Sequence, residues 1–157
     1  MELKIYQVDA FADKLFSGNP AAVVILESSL KDDVMQSIAT ENNLSETAFV
    51  SIHENPVSIR WFTPSIEVDL CGHATLASAR ILFEYYPDLA GEEINFDSKS
   101  GNLKITRVNR GLCLNFPVDY PAEVGSDPLF FEILGTKPLK LLRGKDDFLA
   151  IFKSQKQ

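Results

Sequence analysis

At 157 residues the chain has room for one ordinary domain, or for one domain and part of another. Hydrophobic residues at 45% and charged residues at 24% are the balance of a folded soluble protein that needs no disulfide staples. A net charge of −7 with scattered Lys and Arg excludes the basic footprint of a nucleic-acid-binding protein, and no apolar run approaches the ~20 residues of a membrane span.

Residues 3–8 read as a first strand and 21–26 as a second, more deeply buried one, with Ser17-Gly18-Asn19-Pro20 turning the chain between them. Ser29 is expected to cap a helix over 31–41, with Asp32 and Asp33 in its first turn and Leu30, Val34, Met35, Ile38 and Ala39 as its apolar stripe. Residues 47–53 and 57–63 have the pattern of a hairpin closed around Glu54-Asn55-Pro56. After Pro64, an extended piece over 67–70 leads into Cys71-Gly72-His73-Ala74-Thr75 at the head of a helix over 74–86. The first half of that helix is small or apolar all round, which predicts a buried central helix with Leu76 in the core. A strand begins at 95–97, and two alternating strands, marked by Leu103 and Ile105 and by Leu112, Leu114 and Phe116, join across Asn109-Arg110-Gly111. The result is a strand-rich sheet wrapped around one central helix, with a second helix outside.

Beyond Phe116 the pattern changes. Pro117, Pro121, Gly125 and Pro128 sit in a polar stretch, followed by a short helix over 128–134 and strands over 139–143 and 148–152. The expected division is 1–117 as a first domain, 118–127 as a linker and 128–157 as the beginning of a second. In that last piece Phe130, Phe131, Leu134, Leu141, Phe148 and Phe152 are expected to lack a complete core, and open strand edges there predict a homodimer. Two distant cysteines, Cys71 and Cys113, suit a reducing compartment, and with no signal-peptide pattern at the start a cytoplasmic location is expected.

The pentapeptide Cys71-Gly72-His73-Ala74-Thr75 has the most chemical content. A helix N-terminus offers unpaired amides to a carboxylate and would lower the pKa of a nearby thiol. On its own the pentapeptide is read as packing and capping before chemistry. Glu46, at a helix-to-strand junction, is placed for acid/base work, although a surface Glu in a turn is the plainer reading of position alone. His53, His73, Cys71 and Cys113 lack metal-ligand spacing, so no metal site is expected.

Taken in order, Asp9-Ala10-Phe11, Gly18-Asn19-Pro20-Ala21-Ala22-Val23, Asn43-Leu44-Ser45-Glu46-Thr47-Ala48-Phe49-Val50, Arg60-Trp61-Phe62-Thr63-Pro64 and Glu67-Val68-Asp69-Leu70-Cys71-Gly72-His73-Ala74-Thr75 resemble the PhzF-like (phenazine biosynthesis-like) isomerase family. The resemblance implies an α+β, diaminopimelate-epimerase-like fold, a curled and mainly antiparallel sheet around a central helix. It implies cofactor-independent proton transfer on a small carboxylate-bearing substrate, with Glu46 as the proton-transferring residue. Gly72 and His73 would hold the substrate carboxylate, with Asn19 and Cys71 also lining the site. Family members carry an Asp-Pro-Val-Thr-Gly-Ser-Ala-His-like motif in a second half, and nothing like it occurs in these residues. The chain is therefore expected to be inactive or incomplete by itself. The alternatives are a non-catalytic binding module that keeps the N-terminal fold, and a thiol-dependent racemase using Cys71.

Overall fold

Residues 2–14, 16–109, 111–125 and 128–156 are described in the computed structural model. Arg110 of the expected strand-joining turn, and Ser126 and Asp127 of the expected linker, lie outside the described residues. The chain forms two compact units, Met1–Phe116 and Pro117–Gln157.

In the first unit the elements run β1 (Lys4–Ala10), β2 (Asn19–Leu26), α1 (Asp32–Asn42), β3 (Glu46–Ser51), β4 (Ser58–Phe62), β5 (Glu67–Val68), α2 (Gly72–Tyr85), α3 (Pro87–Ala90), β6 (Glu93–Ser98), β7 (Gly101–Val108) and β8 (Gly111–Asn115). They form one sheet in the order β1-β2-β3-β4-β6-β7-β8, with β5 added to β4. Pairing is antiparallel except for β2 with β3 and β4 with β6. Those two pairs are the ones with a helix between their strands, α1 in the first and α2 in the second, as parallel connection requires. The fold is mixed α+β with a curled sheet.

The period of two along each strand sorts the side chains into two cores. Ala21, Val23, Ile25, Ala48, Val50, Ile59 and Trp61 pack with Ala74, Ala77 and Ile81 of α2. On the other face Val24, Leu26, Phe49 and Phe62 pack with Met35 and Ala39 of α1. Because both faces of β2 are covered, its apolar run shows no alternation.

Two local expectations are overturned. Leu76 is only half-buried, because it lies on the i, i+4 row of α2 that continues to exposed Arg80 and Glu84. The buried positions are His73, Ala74, Thr75, Ala77, Ser78, Ala79, Ile81, Leu82 and Phe83, whose small members let strands approach the helix closely. Ser29 does not cap α1: the cap position is Lys31, in extended conformation and without a side-chain cap. The Asp33 carboxylate instead accepts from the Val34 N–H at 2.9 Å. Asn43 ends the helix in the left-handed region at φ 51°, a conformation Asn tolerates well.

Arg60 ties α1, β4 and β5 together. It donates twice to Glu67, at 2.7 and 2.9 Å, and once to Asp32 at 2.7 Å, and it holds both carboxyls below the usual carboxylate range. Such a bidentate pair is the stronger kind of ion pair.

The second unit holds β9 (Ala122–Glu123), α4 (Pro128–Leu134), β10 (Lys140–Arg143) and β11 (Phe148–Ile151), with the strands in the order β11-β10-β9. Ala122 and Glu123, within the stretch read as a linker, pair with Arg143 and Leu142. A two-residue strand carries no period of its own and takes its register from β10. Leu141 is buried, Phe130, Phe131 and Phe152 are half-buried, and Leu134, Phe148, Leu149 and Ile151 are exposed. Among the described residues no helix is long and apolar enough to cross a membrane.

Candidate functional site

The parallel register of β2 and β3 brings Glu46 to the head of α2. Ala21 is paired with Glu46, and Ala21, Ala48 and Val50 all pack with α2, so the Glu46 side chain falls on the same face at the start of β3. Asn19 lies two residues before Ala21 on β2, at the same end of the sheet, and is exposed. Gly18 precedes it at φ +99°, where a Cβ would collide with the Ala10 carbonyl oxygen and lie 2.9 Å from Ala12 Cβ, so only glycine fits this turn.

The head of α2 is built by Cys71, which caps it in extended conformation and accepts at its carbonyl from the Thr75 N–H at 3.2 Å and the Thr75 hydroxyl at 2.5 Å. No acidic side chain occupies the first turn. The helix therefore keeps the attraction of its first amides for an anion. Gly72 opens the helix where a Cβ would lie 3.3 Å from the Phe116 ring.

Three of the expected site residues meet here. His73 Nε2 lies 3.4 Å from Glu46 Oε2 and 3.3 Å from Ser45 Oγ, while His73 Nδ1 lies 3.4 Å from Cys71 Sγ. Glu46 Oε2 is buried and has no aligned hydrogen bond among the described residues, a costly state that a donor would relieve. Ser45 was not singled out in the sequence; its contact with a residue 28 positions on exists only because the heads of β3 and α2 converge.

The expectation that the helix would lower the Cys71 thiol is reversed. Burial pushes its pKa up to about 12; the N–H groups of Ala74 and His73 oppose this, and the Glu46 carboxylate adds to the rise. Desolvation exceeds the helix field because the thiol is buried. Cys71 is a neutral thiol at physiological pH.

Donor atoms of Glu46, Cys71 and His73 lie within 4.8 Å of one another, and their types suit Zn²⁺. The imidazole turns Nδ1 to the thiol and Nε2 to the carboxylate, and the thiol and the carboxylate are themselves neighbours. The other two residues weighed as ligands are elsewhere: His53 Nδ1 lies 3.3 Å from the Leu26 carbonyl, and Cys113 is exposed on β8.

The model of the family described as phenazine biosynthesis-like protein matches residues 8–127. An uncharacterized isomerase of Pseudomonas aeruginosa is 51% identical over 155 residues, covering 99% of this chain and 59% of that protein. A crystal structure of a PhzF-family phenazine biosynthesis protein from Enterococcus faecalis superposes with a TM-score of 0.87 at 46% identity, over 99% of this chain and 59% of the other. A structure called a predicted epimerase, also from P. aeruginosa, shares the fold at a TM-score of 0.65 and 24% identity, over 83% of this chain and 50% of the other. The chain thus spans about three fifths of the length of the curated relatives it matches. With a family match across most of the first unit and relatives whose similarity runs through both units, the chain belongs to the phenazine biosynthesis-like family.

Proposed function

We propose that the Glu46–His73 site serves an isomerase-type reaction, cofactor-independent proton transfer on a small carboxylate-bearing molecule. The observation that carries this reading is the buried, unpaired Glu46 oxygen beside His73 at the head of α2. In this scheme the substrate carboxylate rests on the first amides of α2, near Gly72 and His73, with Asn19 and Cys71 at the border of the site. The Glu46 carboxylate accepts a proton from an adjacent carbon. The electron pair left behind spreads into neighbouring unsaturation, where the helix dipole and the imidazole N–H stabilise it. Glu46, now a carboxylic acid, returns the proton to another carbon or to the other face, giving a double-bond shift or an inversion. Cys71 takes no part as a base, since it holds its proton. That relatives of this chain bear the name isomerase supports the reaction class.

A second reading, that these 157 residues bind a carboxylate without turning it over, is favoured by their covering only 59% of such a relative. On this view the missing groups, an acid on a second helix head among them, come from a further segment. The open edge of β11 is assigned to a second copy of the chain.

The experiment is deuterium wash-in from D2O, followed by NMR, on a panel of small amino and hydroxy carboxylates. Exchange is expected when the relatives' remaining segment is fused to this chain, no exchange from the 157 residues alone, and loss of exchange in the fused Glu46→Gln variant. Equal exchange by that variant overturns the role of Glu46; exchange by the 157 residues alone overturns the need for a second segment.

A further inference from the structure

The imidazole of His73 has a different neighbour at each nitrogen, and the chemistry of those neighbours fixes its protons. Nε2 faces Glu46 Oε2 at 3.4 Å and Ser45 Oγ at 3.3 Å. An ionised carboxylate only accepts, while a hydroxyl gives or takes a proton as required, so the nitrogen between them is best satisfied as N–H. In a neutral ring the other nitrogen is then a bare lone pair. Nδ1 faces Cys71 Sγ at 3.4 Å, in a buried contact.

We propose that Cys71 is a positioning residue, whose S–H donates to His73 Nδ1 and so fixes the ring in the tautomer that carries its proton on Nε2, the nitrogen beside Ser45 and Glu46. The hydrogen-bonded chain runs from the Cys71 thiol through the imidazole to the Ser45 hydroxyl, with the Glu46 carboxylate 3.4 Å from Nε2. Within it the thiol S–H and the ring N–H each meet an acceptor, which is what buried donors require. The thiol can fill this place because burial keeps it protonated. The assignment gives Cys71 work that does not depend on a thiolate. It separates this residue from a catalytic base at the same helix head: it acts through His73 rather than on the substrate. Its consequence for turnover rests on the proton-transfer reading above; the tautomer itself does not.

The chain has two histidines, His53 and His73, so imidazole nitrogen NMR of the ¹⁵N-labelled 157-residue protein gives two resolvable rings. At a pH above the ring's own titration, His73 is expected as the Nε2–H tautomer. In Cys71→Ala the two tautomers of His73 mix, and in Cys71→Ser, which restores an O–H donor, the Nε2–H form returns. The His53 signals stay unchanged throughout and report that the fold is intact. A wild-type ring protonated on Nδ1, or a Cys71→Ala ring identical to wild type, overturns the proposal. Should Cys71→Ala fail to fold, wild type and Cys71→Ser decide it by the same criterion. Loss of the isomerase reading would leave these spectra as they are, so the two failures are distinguishable.

Discussion

Burial gives the two thiols of this chain opposite reactivity. Cys113 is exposed on β8, while Cys71 is buried under the head of α2 with its pKa pushed up to about 12. Alkylation with iodoacetamide under native conditions near neutral pH should therefore mark Cys113 first. At Cys71 the thiolate is scarcer by about a thousandfold than at an ordinary thiol, and burial slows access further. Its labelling should quicken only as the pH climbs toward that raised value, or on unfolding. Peptide mass spectrometry with time reads both sites, and rapid native labelling of Cys71 would show an activated thiol instead. At this scale the sequence exposed the types and order of the candidate residues: Glu46, Gly72 and His73 stand in motifs that the family resemblance picks out. It did not expose Ser45 or the two-sided contacts of His73. Which nitrogen faces which partner depends on the meeting of β3 and α2, and no local pattern encodes that. The direction of the Cys71 shift was misread for a related reason. A helix head is visible in a sequence, but how deeply it is buried is set by the strands around it.

Helix α2 shows how far an element can be read from its composition. Its place at the centre was legible, because a helix of Ala, Ser and Thr around most of its circumference has no solvent face to offer in its first half. Its phase was not, since Leu76 looked the most apolar residue of that half. The phase lay further along, where Arg80 and Glu84, an ion pair at 2.8 Å, mark the outward row to which Leu76 belongs. The packing predicts unequal costs for two substitutions. Ala77→Leu forces a larger side chain into the core and should cost about 1–3 kcal/mol. Leu76→Asp forfeits only part of a Leu burial and places a carboxylate one turn before Arg80, so a loss of about 1 kcal/mol or less is expected. Urea unfolding of both variants checks the order, and a Leu76→Asp variant less stable than Ala77→Leu would put Leu76 back in the core. Long periodic elements were found to within a few residues. The four-residue α3 and the two-residue β9 were not, because neither is long enough to show a period.

At the scale of the whole chain the two units differ in what they bury. The first has a core on each face of the β2-β3-β4 sheet. In the second, Pro138 and Leu141 are buried among the described residues, while Leu149 and Ile151 of β11 and Ile133 of α4 are exposed. The break was legible in the prolines after Phe116, since Pro117 and Pro121 interrupt any continuing strand pattern. The expectation of an incomplete core there came from three short elements that cannot enclose one another. Among the described residues β11 pairs with β10 on one side only, so its other edge offers backbone N–H and C=O groups and exposed apolar side chains to another strand. Satisfying those groups by a second copy buries apolar surface at no cost in new sequence, and a two-fold arrangement of β11 edges closes on itself rather than growing into a fibre. The expected outcome is a concentration-dependent dimer of the 17.5 kDa chain in sedimentation velocity. Leu149→Lys, an exposed position on that edge, should return it to monomer without lowering the melting temperature of the first unit, because it adds charge where strand pairing would occur and touches neither core. A wild-type chain that sediments as a monomer at high concentration, with β11 amides protected from hydrogen exchange, would show that the edge is covered within one molecule and not by a second copy.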